Sequence, residues 1–198
     1  MSPADSASPA WLTVPPADGL PEAVAAEIGP VAQKIGFVPN VARLLAISPE
    51  HFTGWWRYFD ELMRGPSGLS KTRREMIAVV ISAEARCPYC LAAHAAALRL
   101  RTKDPDLADR LAVNYRHVEL PPLDRVMLDF AVKLTRTPEA CEEADVARLR
   151  EAGFSDAAIL HIVEITAIFN YNVRLAGATG LFPNAGYHEL GRAAHKEG

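Results

Sequence analysis

What most narrows the folds open to this chain is a pattern it does not contain. From Glu22 onward no window alternates β-branched residues with polar ones, and Ala, Leu, Glu and Arg dominate almost every segment. That combination predicts an all-α fold. Helix starts are marked by capping chemistry: Ser48 before Pro49 and Glu50, Ser70 before Lys71, Pro121 and Pro122 before Leu123, and Ser155 before Asp156. The spacing predicts helices over 22–35, 40–47, 49–64, 70–85, 88–101, 105–115, 122–136, 142–152 and 156–178. The last carries Ile159, Ile162, Val163, Ile165, Thr166, Ile168 and Phe169 around so much of its circumference that it must be central or covered by another subunit. Residues 1–21, with several Pro, Ser and Ala, read as an N-terminal arm that Trp11 and Leu12 would pin to the body. Residues 22–182 read as one all-α domain and 183–198 as a C-terminal surface extension.

The chain has 198 residues, 49% hydrophobic and 23% charged, enough for one sizeable core and far from the composition of disorder. Its 21 Lys and Arg against 24 Asp and Glu leave a net charge of −3, with no electrostatic footprint for nucleic acid or anionic lipid. The longest strongly apolar run, Met76 to Ala83, is far shorter than the roughly 20 residues of a membrane-spanning helix. Met1-Ser2-Pro3-Ala4-Asp5 lacks the basic and apolar regions of a signal peptide, so a soluble protein of the reducing cytoplasm is expected. Three cysteines there, two of them in a Cys-x-x-Cys, point to redox or metal chemistry at one place rather than to a disulfide framework.

That place is Cys87-Pro88-Tyr89-Cys90, followed by His94. Proline suits the first helical position, which puts Cys87 at the N-cap and both sulfurs in the first turn, where backbone N–H groups favour thiolate over thiol. Positions 87, 90 and 94 then share one helix face. If the preceding helix turns near Glu84 to Arg86 and the chain returns antiparallel, facing residues have numbers summing to about 169–170. Glu75 then faces His94, and the thiols see mostly apolar side chains with one carboxylate and one imidazole beyond, the layout of a proton relay.

The pattern Glu75-x11-Cys87-x-x-Cys90-x3-His94 resembles the catalytic signature of the AhpD-like alkylhydroperoxidases, in the carboxymuconolactone decarboxylase superfamily. The resemblance extends over about residues 36–182, through Val38-Pro39-Asn40, Gly68-Leu69-Ser70, Asp129-Phe130-Ala131 and Phe169-Asn170, and is to the peroxidase-related branch. It implies an AhpD-like helical domain, a homo-oligomer, and reduction of a hydroperoxide without metal, haem or flavin, with a thiol or lipoyl-type reductant to recycle the protein. By position it makes Cys90 the peroxidatic nucleophile, Cys87 the resolving thiol, His94 the base and Glu75 its proton relay. The chain departs from the family pattern in having Tyr89 where a histidine is common and Asn170-Tyr171-Asn172-Val173-Arg174 where Asn-x-x-Asn-Arg is usual.

Helix electrostatics alone favours Cys87 as the thiolate, at about 0.3–1 kcal/mol for exposed sites, whereas the histidine one turn on and the family favour Cys90. We take Cys90, because a specific base also supplies a proton path. Zinc is the sharpest rival chemistry, but Cys87, Cys90 and His94 are three ligands where a structural site wants four. Cys141 reads as an ordinary, partly exposed thiol. Trp55, Trp56, Tyr58 and Phe59 read as core or subunit interface in preference to substrate wall. His161 and Glu164 read as satisfied core polar groups, Asn170, Asn172 and Arg174 as subunit contacts, and His51, His117, His188 and His195 as surface. The functional expectation is a thiol-dependent peroxidase. Its alternatives are a protein or lipoyl disulfide reductase using the same residues and a non-catalytic oligomeric redox sensor.

Overall fold

The structure is a computed structural model and describes residues 8–192. Its helices are α1 (Glu22–Ile35), α2 (Asn40–Leu45), α3 (Pro49–Arg64), α4 (Lys71–Glu84), α5 (Pro88–Thr102), α6 (Leu107–Asn114), α7 (Pro122–Arg136), α8 (Glu143–Glu151), α9 (Asp156–Thr179) and α10 (Gly186–Glu189). There is no strand among the described residues, and every expected helix is present with its ends within two residues of the expected ones. Ser70 and Ser155 cap α4 and α9 by accepting the N–H groups of Arg73 and Ala158. Ser48 makes no such bond, and α3 begins on Pro49 at its first position without a side-chain cap.

α4 is the hub of the fold. It packs against α5, α6, α7 and α9. Ile77, Ala78, Val79 and Ile81 on it are fully buried. α9 covers α4 and α7 and also touches α3, α5 and α8, which explains its nearly all-round apolar sequence. One large core runs through these helices, and a smaller cluster gathers Cys87, Tyr89, Cys90, Val173, Leu181 and Tyr187.

Both terminal segments close this smaller cluster. Ala10 is buried in it, the Trp11 N–H donates to Thr179 O and the Phe182 N–H to Pro9 O, each at 2.8 Å. The Trp11 ring stays 75% exposed while lying over Gly180, so backbone bonds and Ala10 hold the arm. Gly180 has φ 61°, and a Cβ there would come within 2.2 Å of that ring. At the other end the chain differs from a surface extension: Tyr187 is buried, Asn184 bonds Val38 and Asn40, and the Arg99 guanidinium donates to Leu190 O at 2.9 Å and Tyr187 O at 2.7 Å. Residues 1–7 and His195 lie outside the described residues.

Arg74 is the most fully buried cation, 2% exposed, and its guanidinium donates to the carbonyls of Leu62, Gly65 and Leu69. Those carbonyls end α3 and form the loop to α4, so one side chain fixes both helices that flank the site described below. Arg74→Met keeps much of the volume but strands the Gly65 and Leu69 carbonyls, since only Leu62 O has a second donor, in His161. We expect a loss of about 2–6 kcal/mol in chemical denaturation, at about 1–3 per buried unsatisfied group.

Candidate active site

α4 and α5 are joined by a turn that lacks glycine. Arg86 adopts the left-handed conformation, φ 51°, its N–H reaches Ala83 O at 3.0 Å, and the Cys87 N–H reaches Ser82 O at 2.9 Å. These are the two bonds of a Schellman ending, with arginine where glycine is usual. Cys87 closes that ending and is at once the N-cap of α5: its Sγ accepts the Cys90 N–H at 3.4 Å, with Pro88 at the first helical position.

The turn sets the register between the helices. His94 Nδ1 lies 2.8 Å from Glu75 Oε2, the facing pair that the hairpin sum singles out. The other carboxylate oxygen accepts from Arg101 Nε at 3.3 Å. Arg101 is a partner that the sequence reading missed, although it lies seven residues beyond His94 on the same helix face. Glu75 is 4% exposed, so its charge is held by these two donors and not by water. Phe169 meets the His94 ring edge-on with centroids 4.6 Å apart, and Phe59 meets it at 6.1 Å. With Nδ1 on a carboxylate, the ring is fixed in orientation and Nε2 is left as the basic nitrogen.

A cavity of about 870 Å³ opens beside this pair. Cys90, His94, Tyr89, Trp55 and Phe59 line it, and Cys87 does not. The aromatic cluster is therefore both core and wall: Trp56 and Phe59 are buried, and the Trp55 indole N–H donates to Asn172 Oδ1 at 2.9 Å. Tyr89 is buried next to Cys90, its hydroxyl accepting the Val41 N–H at 3.2 Å.

Charge and access fall on different sulfurs. The Cys87 thiol is lowered to about 7, first because the Cys90 side chain donates to its sulfur and then because the N–H groups of Cys90 and Tyr89 point at it, against the opposing effect of burial. The Cys90 thiol is pushed up by the same hydrogen bond, in which it is the donor, and by burial. The more acidic sulfur is thus Cys87, while the sulfur facing the cavity is Cys90.

The remaining polar residues have partners within the chain. His161 is bonded to Ser67 Oγ and Leu62 O, bracing the loop after α3, and Glu164 accepts from the Tyr58 hydroxyl. Within the chain Asn172 is buried on Trp55, and Asn170 bonds Thr135 and Thr166. Arg174 is exposed and donates to Asn170. His51, His117 and His188 are exposed. Cys141 is partly exposed, its thiol raised by burial and by Asp145. Among the described residues no group of three or more His, Cys, Asp or Glu side chains is arranged to hold a metal, and no helix is long and apolar enough to cross a membrane.

Thiolate absorbance followed against pH on the reduced protein should show one group titrating near 7. Cys87→Ser should abolish that step, and Cys90→Ser should raise its midpoint by removing the donor. A wild-type midpoint at the ordinary thiol value of about 8.5 would contradict the assignment.

Comparison with known proteins agrees with this architecture. Residues 49–113 match the model of the carboxymuconolactone decarboxylase family. An uncharacterized peroxidase-related protein from Silicibacter sp. TM1040 is 44% identical with a TM-score of 0.88, the match covering 94% of this chain and 97% of that one. A second, from Ralstonia eutropha JMP134, described as an alkylhydroperoxidase AhpD core, is 41% identical with a TM-score of 0.90, covering 95% and 99%. Sestrin-2 of Homo sapiens is 30% identical over 71 residues, which is 36% of this chain and only 15% of the sestrin's length. The chain belongs to the AhpD-like, peroxidase-related proteins of the carboxymuconolactone decarboxylase superfamily.

Proposed function

We propose that the protein is an oxidoreductase, a thiol-dependent peroxidase that reduces organic hydroperoxides in a reducing compartment while Cys87 and Cys90 cycle between dithiol and disulfide. The observation that carries this reading is the sharing of one cavity wall by Cys90 and His94, with His94 oriented by Glu75. Once Cys87 has ionised, which its lowered thiol allows from about pH 7, the cysteine pair holds a single proton. Passing it from Cys90 to Cys87 makes Cys90 the thiolate at the cavity. Cys90 Sγ attacks the outer peroxide oxygen, the O–O bond breaks, and the departing alkoxide takes a proton along the His94–Glu75 path, giving an alcohol and a Cys90 sulfenic acid. Cys87 then attacks that sulfur and expels the hydroxyl as water, leaving the Cys87–Cys90 disulfide. Two thiols and one hydroperoxide thus yield a disulfide, an alcohol and water, and an external thiol or lipoyl-type dithiol restores the pair.

The similarity to peroxidase-related proteins over nearly the whole chain supports the same class of chemistry. We further propose a homo-oligomer, supported by Leu160 and Tyr171, which stand exposed on one face of α9 with Phe182 exposed beyond it. Light scattering on the purified protein should return a multiple of the single-chain mass, and a monomer would overturn this.

Turnover of cumene hydroperoxide under dithiothreitol tests the activity. Cys90→Ser should abolish it, and Cys87→Ser should leave a sulfenic acid on Cys90 that dimedone traps. His94→Gln and Glu75→Gln should each slow the peroxide step by roughly 10²–10⁴-fold. Dimedone on Cys87 in Cys90→Ser, with none on Cys90 in Cys87→Ser, would reverse the roles. A reversible disulfide without turnover would point to a redox sensor instead.

A further inference from the structure

The cavity is a groove with two chemically different ends. Along α5 its wall recurs at Cys90, Ala93, His94, Ala97 and Arg101, every three or four residues, so it follows one helix face for nearly the whole helix. The opposite wall follows α3 through Trp55, Trp56, Phe59, Met63 and Arg64. Phe59 sits beside His94, while the charge of Arg64 is felt by Arg101 and Glu75, so the two helices run in the same sense along the groove. Cys90 and Trp55 mark one end, Arg64 and Arg101 the other.

That second end is cationic. Arg64, Lys71 and Arg101 line it, against one carboxylate, Glu75, which already holds Arg101 and His94, whereas Lys34 lines the cavity next to Ile35, which packs on the cluster around Cys90. Arg64 is stacked over Trp56 at 5.1 Å and paired with Asp60. Lys71 is exposed one helical turn before Glu75 on α4 and makes no ion pair among the described residues. Between the ends, apart from the paired His94 and Glu75, the surface is mainly apolar, with alanines on α5 leaving room against aromatic rings on α3. From Cys90 to Arg101 the axial distance is about 16 Å at 1.5 Å per residue. A zigzag chain of roughly a dozen carbons, with C–C bonds of about 1.5 Å, spans it.

We propose that the groove binds long-chain carboxylic acids, with the carboxylate at Lys71, Arg64 and Arg101 and the chain running to Cys90. The peroxide substrate, on the peroxidase reading above, is then a fatty-acid hydroperoxide oxygenated in mid-chain. An apolar chain fits the alanine and aromatic walls, and the excess of cations selects an anionic head. Oxygen adds to unsaturated chains some way from the carboxylate, which brings the O–O bond to Cys90 when the head is at Arg101. Reduction at the dithiol delivers the hydroxy acid and water, with the electrons coming from the thiol pair.

Binding is tested without any redox step. The reduced full-length protein is titrated with oleate and with methyl oleate below their aggregation limits, following the fluorescence of Trp55 and Trp56. Oleate should bind at least about ten-fold more tightly than the ester, a difference of about 1.4 kcal/mol. Lys71→Glu should remove that preference and Lys71→Arg should retain it. Equal affinity for acid and ester, or a preference that Lys71→Glu leaves intact, would overturn the proposal. Linoleate hydroperoxide should likewise show a higher kcat/KM than its methyl ester. Turnover of cumene hydroperoxide with no acid preference defeats this proposal alone, whereas oleate binding without turnover of any hydroperoxide defeats the peroxidase reading alone.

Discussion

Everything at this site hangs on the double use of Cys87. Its N–H completes the C-terminal ending of α4, and its sulfur opens α5 as the N-cap. A residue serving both ends leaves no slack in the connection, so the rotation of α5 about its axis is set by the turn. That rotation brings His94 onto Glu75 and turns Cys90 toward the cavity. The Cys90 side chain does most to lower the Cys87 thiol, and the same N–H groups that need a cap add to it, so the geometry of the helix pair and part of the acidity of the sulfur share an origin.

The dithiol separates charge from access. The more acidic sulfur lies off the cavity wall and the less acidic one lies on it; on the peroxidase reading proposed above, Cys90 is therefore masked as a nucleophile until the shared proton shifts. The sequence made part of this readable: N-cap geometry alone favoured Cys87. What it could not supply was the hydrogen bond between the thiols, which adds to the amide contribution and depends on the side-chain rotamers of both residues.

Helix positions were legible because capping residues and prolines state them locally, as at Ser70, Ser155 and Pro88. The facing of Glu75 and His94 was legible because a short hairpin leaves one register. Long-range partners were not: Arg101 reaches back over two turns to Glu75, Asn172 meets Trp55 from far along the chain, and Arg99 holds the tail through two carbonyls. A four-residue helix such as α10 has too few turns to show a period, so Tyr187 looked like part of a loose extension until its buried contacts with Phe37 and Tyr89 were seen.

The groove itself runs against packing energetics, and that is the strongest sign that it is used. Protein interiors fill nearly all their space, and an unfilled volume costs contacts on every wall. Here α5 presents Ala93, Ala96 and Ala97 to the open space, where leucines would close it and strengthen the core. Arg101 and Glu75 show the same preference for an open path. Set partway along an apolar groove, a lone carboxylate would repel an anion, but with Arg101 on one oxygen and His94 at the other its charge is matched, and Lys71 faces the groove with no ion pair among the described residues. One ion-paired glutamate therefore serves both ends, orienting the imidazole beside the thiol and presenting a matched charge where a lone carboxylate would bar an acidic head from the groove.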